Sequence, residues 1–328
     1  MGLTSVTGIQ ADSFARILVT GSGGFVGTHL LPIMRQSFSQ AVFDAPRLSD
    51  GFDITDTVAL EERIAAFQPD ACIHLAAIAA PMIVRQNPDA AWKVNLHGSL
   101  GLANAILKHV PGCVLLYVST ADLYGASFRS GIPLDESATP APMNLYGATK
   151  AAADLALGAL AGEGLRVIRA RPFNHTGPGQ SEDFVLPAFA AQIAAIEAGR
   201  RPPVISVGNL DSWRDFLDVR DVCAAYVHML THADRLVPPG SKHAPIFNIA
   251  SGTSYRIGDL LERLLSLSRV SIRTGTDPSR LRPADIPRAE GNATLARSVL
   301  GWVPRIALEQ TLGDLLDDYR HHHIPDNG

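Results

Sequence analysis

Three residues of this chain have the types and spacing for proton transfer to a carbonyl group. Tyr146 and Lys150 stand four apart in Tyr146-Gly147-Ala148-Thr149-Lys150. On a helix that spacing puts both side chains on one face, within about 6 Å. A phenol titrates near pH 10, and a neighbouring ammonium is expected to stabilise the phenolate and lower that value. Upstream, an apolar run ends in Ser119-Thr120. A hydroxyl there, with Tyr146 and Lys150, can polarise a carbonyl, donate a proton and anchor a ribose.

A second group of residues is suited to a diphosphate. Gly21, Gly24 and Gly27 in Gly21-Ser22-Gly23-Gly24-Phe25-Val26-Gly27 directly follow an apolar run and open a helical pattern. The first glycine allows a tight turn, the second lets backbone approach a pyrophosphate, and the third lets helix pack on strand. The free N–H groups of the helix start then face the phosphates. Asp44 ends the next apolar run, 17 residues beyond Gly27. Its carboxylate is placed to accept from adenosine ribose hydroxyls, which favours NAD(H). Arg47, three residues on, leaves NADP(H) open through a 2′-phosphate.

These groups need a scaffold, and the first half of the chain supplies its pattern. Short unbroken apolar runs at 16–20, 41–44, 71–76, 114–119 and 166–171 alternate with helical patterns at 24–36, 57–67, 89–109 and 144–161. Runs without alternation mean strands buried on both faces, and intervening helices mean right-handed crossovers. The expected fold class is α/β, a doubly wound parallel sheet (Rossmann) with a smaller C-terminal substrate-binding α/β lobe. The division predicted is 1–178 for the dinucleotide domain and 179–328 mainly for substrate, with 216–250 returning to the first sheet. In the second part, strands are expected at 204–207, 216–219 and 246–249, with helices at 184–198, 221–231, 257–267 and 308–320. Residues 274–289, rich in Pro and Arg, read as an ordered loop over a site.

Composition narrows the partners. The 328 residues carry 28 Lys+Arg against 32 Asp+Glu, a formal net charge of −4, so no bulk positive field draws nucleic acid or an anionic membrane. Lysine is scarce: Lys93, Lys108, Lys150 and Lys242. Cys72, Cys113 and Cys223 are far apart and set among apolar residues, which predicts free thiols and a reducing cytoplasm. Residues 1–15 lack the pattern of a secretory leader, and the most apolar stretch, 71–84, is too short to span a bilayer. No metal site is predicted, and His321, His322 and His323 read as a short exposed tail.

The segments TGSGGFVG (20–27), DITD (53–56), HLAA (74–77), Asn95, STADLYG (119–125) and YGATK (146–150) resemble, in order, the extended short-chain dehydrogenase/reductases of the NAD-dependent epimerase/dehydratase type. Those enzymes act on nucleotide-diphosphate sugars. The resemblance implies Tyr146 as acid/base, Lys150 on the nicotinamide ribose and Thr120 as the hydrogen-bonding hydroxyl. It sets Asp53 and Ile54 beside the adenine, and adds Leu75, Ala76, Ala77, Asn95 and Ser119 to the cofactor site. Tyr124 matches a position that is structural in the family.

RPFNHTGPGQ (171–180), Asp183-Phe184-Val185, VGNLDSWRDFLDVRD (207–221) and LRPADIPR (281–288) resemble the members that act on GDP-linked 4-keto-6-deoxyhexoses. The resemblance implies Asn174 at the sugar or its phosphate, Arg214 and Arg282 at the diphosphate, and backbone near Val185 at the base. Forked guanidinium donors suit phosphate oxygens. The implied reaction is NAD(P)H-dependent reduction at C4, giving GDP-6-deoxy-D-mannose or its C4 epimer GDP-6-deoxy-D-talose. Dehydratases of the family use an acid at the Asp122 position, so dehydration of GDP-mannose or 4-epimerisation with tightly bound NAD is the rival reading. A non-catalytic dinucleotide sensor is a third, at odds with the presence of both Tyr146 and Lys150. The resemblance also implies a homodimer through the helices at 89–109 and 144–161.

Overall fold

The computed structural model describes residues 14–278 and 286–323. Its first half begins with β1 (Arg16–Thr20), α1 (Phe25–Ser37), β2 (Val42–Asp44), α2 (Thr57–Phe67) and β3 (Ala71–His74). Then come α3 (Pro81–Gln86), α4 (Pro88–Trp92), α5 (Ser99–His109), β4 (Val114–Val118), α6 (Leu145–Leu160) and β5 (Arg166–Pro172). The second half contains β6 (Asn174–Thr176), α7 (Val185–Glu197), β7 (Val204–Val207), β8 (Trp213–Asp218), α8 (Val219–Thr231) and α9 (Ala233–Leu236). It closes with β9 (Ile246–Ile249), β10 (Ser254–Arg256), α10 (Ile257–Ser266), β11 (Arg273–Thr276), β12 (Arg288–Ala289), α11 (Thr294–Leu300) and α12 (Leu308–His323).

Six strands form one parallel sheet in the order β2-β1-β3-β4-β5-β9. Every residue of β3 is buried, as an unbroken apolar run between two helical layers requires. One face packs α1 and α8 through Leu30, Met34, Val222 and Tyr226. The other packs α2, α5 and α6 through Leu60, Leu102, Ile106 and Leu157. Helix α1 runs on through Pro32, which forgoes one backbone bond.

A smaller sheet, β10-β8-β12 with β6 also on β8, and the pair β7-β11 carry the second lobe. Its core joins α7, α10 and α12 through Leu186, Ile193, Leu260 and Leu316. The chain returns to the large sheet through α8 and β9, while residues 216–218 of β8 stay in the smaller one beside β6. The expectation for 216–219 is corrected accordingly: apolar content marks burial but not which sheet accepts the strand.

Three further expectations change. The segment 89–109 is interrupted by a π-helical turn, Lys93–Gly98, between α4 and α5. Such turns are common where a side chain must be re-aimed, and here the turn carries the buried Asn95. Residues 273–276 and 288–289 form strands on β7 and β8 rather than lying wholly in a loop. His321, His322 and His323 form the last turn of α12 instead of a tail. Among the described residues no helix is long and apolar enough to cross a membrane, and no cluster of three or more His, Cys, Asp or Glu is placed to hold a metal. The three cysteines are free and buried.

Candidate active site

A cleft of ≈ 340 Å³ opens along the C-terminal ends of β1, β3, β4 and β5, where open α/β sheets place ligands. Gly21, Gly24, Phe25, Val26 and Gly27 line one end, and Ser119, Thr120, Asp122, Tyr146, Lys150 and Asn174 the other, with Leu75 and Ala77 between. The glycine end is set by close approach. A Cβ on Gly21, whose φ is +73°, would stand 2.5 Å from Ala76 N, and one on Gly27 would stand 2.6 Å from Gly21 O. Ala76 therefore serves this end through its backbone. Ser22 pins the neighbouring loop by donating to Ala45 O and Pro46 O at 2.8 and 3.1 Å.

At the other end, α6 is capped by Asn144, whose side chain accepts from Gly147 N. The helix directs Tyr146 and Lys150 into the cleft. Lys150 Nζ donates to Val118 O at 2.6 Å and lies 4.3 Å from the Tyr117 ring centroid. Burial lowers its pKa to about 7, against the pull of Asp154 one turn on. Tyr146 is pushed up, not down: burial and the Asp122 charge raise it, and a hydrogen bond from Thr120 only partly offsets them. The expected lowering by Lys150 is thus corrected. A desolvated ammonium committed to a carbonyl and a ring face offers the phenolate little.

Asp122 is raised by burial, with Arg214 and the Asn144 side chain acting in the opposite direction. Its backbone N–H caps onto Thr120 Oγ at 3.2 Å. Arg214 lies on β8 with Nη1 donating to Trp213 O and Ile286 O at 2.8 and 3.0 Å. It stands outside the cleft lining, fixed toward Asp122. Arg282 falls outside the described residues. Val185, 38% exposed, begins α7 directly after the cleft residue Phe184 and is not itself part of the lining.

Other sequence expectations are redirected. Both oxygens of Asp44 are held by Arg63, at 2.7 and 2.8 Å, so a ribose would share this carboxylate with the guanidinium. Arg47 lies with its Cδ 3.3 Å from where a Gly23 Cβ would be, beside the glycine turn. Asp53 accepts from Thr55 N and Oγ1 in a local turn. Ile54 is 5% exposed and its side chain packs against Gly98. Asn95 is buried and does not line the cleft. It bonds Ile78 N and O and Thr149, and so acts on the site through that loop. Tyr124 is structural: Arg171 donates to its hydroxyl, which donates to Asn248 Oδ1 at 2.7 Å.

The cleft also contains His175, Gln180, Phe184 and Tyr226, to which the sequence reading gave no role. His175 and Gln180 sit inside the 171–180 motif, which was the available signal. Tyr226 lies mid-helix among apolar neighbours and had none. Unpartnered buried hydroxyls of Ser119 and Tyr226 and the free Gln180 Oε1, together with the glycine cradle, suit a polar, elongated ligand such as a dinucleotide.

A parallel sheet with a glycine turn at its switch point and a Thr-Tyr-Lys group beyond defines a Rossmann-type dinucleotide enzyme. Residues 17–250 match the model of the NAD dependent epimerase/dehydratase family, and the chain belongs to that family. It is 34% identical to the GDP-6-deoxy-D-mannose reductase of Pseudomonas aeruginosa, over 93% of this chain and 97% of the relative. It is 28% identical to the GDP-6-deoxy-D-talose 4-dehydrogenase of Aggregatibacter actinomycetemcomitans, over 87% and 91%. The fold superposes on the Pseudomonas aeruginosa RMD structure complexed with NADPH at a TM-score of 0.81 and 33% identity, covering 94% and 99% of the two chains.

Proposed function

We propose that this protein is a reductase that converts a GDP-linked 4-keto-6-deoxyhexose to GDP-6-deoxy-D-mannose or its C4 epimer GDP-6-deoxy-D-talose. The observation that carries this reading is the meeting of Thr120, Tyr146 and Lys150 at one end of a cleft whose other end is the glycine turn. The relatives named above supply the substrate class.

Bound NAD(P)H supplies the hydride. Gly21, Gly24 and Gly27 hold the diphosphate by backbone, and Lys150 orients the ribose. Tyr146 is the acid at the C4 oxygen. The phenol carries its proton at neutral pH, the form that reduction needs. Thr120, whose single hydroxyl hydrogen turns from Tyr146 to the substrate, donates to the same oxygen as negative charge develops. Asn174 meets the sugar, and Arg214, Arg282 and the backbone at Val185 take the nucleotide. Asp44 at the end of β2 favours NADH, and Arg47 beside the turn leaves NADPH open. The division into a dinucleotide domain to residue 178 and a substrate lobe beyond it, with α8 and β9 returning, belongs to the same reading. So does a cytoplasmic homodimer through α5 and α6, where Leu155 is 55% exposed.

The test is to mix the purified protein with the keto sugar and either reduced cofactor. Cofactor oxidation and a 6-deoxyhexose product are expected; no oxidation with either cofactor would sink the reading. A second reading, dehydration or epimerisation with retained NAD, has one observation in its favour, the half-buried acid Asp122 in the cleft. It requires turnover of GDP-mannose or another nucleotide sugar without added reductant.

A further inference from the structure

A buried hydrogen-bond chain runs from the glycine turn to the catalytic helix. Thr20, which precedes Gly21, places Oγ1 2.7 Å from His74 Nδ1, and His74 Nε2 lies 2.9 Å from Ser99 Oγ. Ser99 donates to Asn95 O at 2.8 Å. Asn95 Nδ2 donates to Thr149 Oγ1 at 3.0 Å, and Thr149 donates to the carbonyl of Tyr146 at 2.9 Å. None of Thr20, His74, Asn95, Ser99 and Thr149 is more than 1% exposed.

Counting protons fixes the direction of every link. A hydroxyl has one hydrogen to give. That of Ser99 goes to the Asn95 carbonyl, so Ser99 accepts from the imidazole and Nε2 carries the hydrogen. Thr20 Oγ1 receives the Ala76 N–H at 3.5 Å and gives its own hydrogen to Nδ1. The opposite tautomer would leave the Thr20 hydrogen without an acceptor and draw Ser99 away from Asn95. An imidazolium would clash with Thr20 in the same way. The surroundings agree: the Tyr117 ring of β4 lies 5.9 Å away, and Lys150 of α6 is the charged group whose field reaches the ring. Burial and that charge hold the imidazole pKa down at about 3.

We propose that His74, held as the neutral Nε2–H tautomer, is a positioning residue that ties the phosphate-binding turn to the catalytic helix. Leu75 and Ala76 follow it directly and pack under Gly21, while Asn95 and Thr149 extend the tie to the Tyr146 backbone. The idea rests on the reading that the cleft binds a dinucleotide at that turn. It does not depend on the identity of the sugar.

Imidazole 15N NMR of the full chain, NADPH titration by cofactor fluorescence and steady-state kinetics test it together. The expected spectrum shows a neutral Nε2–H His74 that does not titrate between about pH 5 and 8. His74→Leu cuts both links, so NADPH affinity and kcat should each fall about tenfold. His74→Gln, which returns a donor toward Ser99, should recover much of both losses. Thr149→Val cuts only the last link and should lower kcat while leaving NADPH affinity unchanged. An Nδ1–H or titrating His74 would overturn the proposal. So would a His74→Leu protein with unaltered NADPH affinity and kcat, or a Gln variant no better than Leu. If His74→Leu does not fold, the NMR result and Thr149→Val decide alone. The spectrum and the NADPH titration need no sugar, so a wrong substrate assignment leaves them standing.

Discussion

At the glycine end of the cleft, the shape comes from backbone within one turn of chain, closed by Ala76 against Gly21. At the other end, Thr120, Asp122, Tyr146 and Asn174 come from three separate segments, with Arg214 outside the lining, and their charges interact. Asp122 raises Tyr146, and Arg214 and Asp122 each temper the other's desolvation. The first end is intolerant of added atoms because its limits are steric. The second is sensitive to charge because its groups share a dry pocket, where unpaired charges are costly.

That contrast can be broken at either end. The largest expected effect is Tyr146→Phe, which should lower kcat by about 10²–10⁴-fold while leaving NADPH affinity unchanged. Single-turnover rates and a binding titration check both halves, and a loss of NADPH affinity would assign Tyr146 to binding instead. Next, Gly21→Ala adds a Cβ 2.5 Å from Ala76 N at a positive φ. It should cost about 1–3 kcal/mol in denaturant unfolding and weaken NADPH binding with it. Unchanged stability would show that the turn can relax.

At the sugar end, Arg214→Gln should raise KM for the GDP-sugar about tenfold with little change in KM for NADPH. Equal changes in both would mean that Arg214 supports the whole cleft. The smallest effect is with pH. Lys150 has its pKa lowered to about 7, so its ammonium is lost above that value and kcat/KM should decline on the alkaline side. Lys150→Arg keeps its charge and should move that limb upward. The same lowered pKa affects stability with the opposite sign. Between about 7 and 10.4 the unfolded chain binds the extra proton, so Lys150's contribution to stability rises with pH there. A pH-independent profile from about 6 to 9 would remove Lys150 from the rate-controlling set.

Local rules that need only neighbours in sequence were legible. β1, α2, β7 and β9 stand where the apolar periodicity put them, with bounds matching residue for residue. The glycine turn, Thr120, Tyr146 and Lys150 were found for the same reason, since spacing along a strand end or a helix determines direction. What the sequence did not announce was pairing at a distance. Asp44 has the right type and position for a ribose, and Arg63 on α2 also binds both its oxygens. Ile54 turns into the core against Gly98. The strand expected at 216–219 forms as β8, three residues earlier at its start, but it hydrogen-bonds with β6, β10 and β12 rather than the large sheet.

The sequence by itself determined the layered α/β class, the phosphate-binding turn and the tyrosine-lysine pair, because each is written in spacing that backbone geometry converts directly into direction. Only the tertiary structure decided the electrostatics. It raised Tyr146, lowered Lys150, occupied Asp44 and set His74 in a one-way hydrogen-bond chain. Those outcomes depend on desolvation and on partners 19 to 54 residues away in sequence, and folding alone brings such groups within reach.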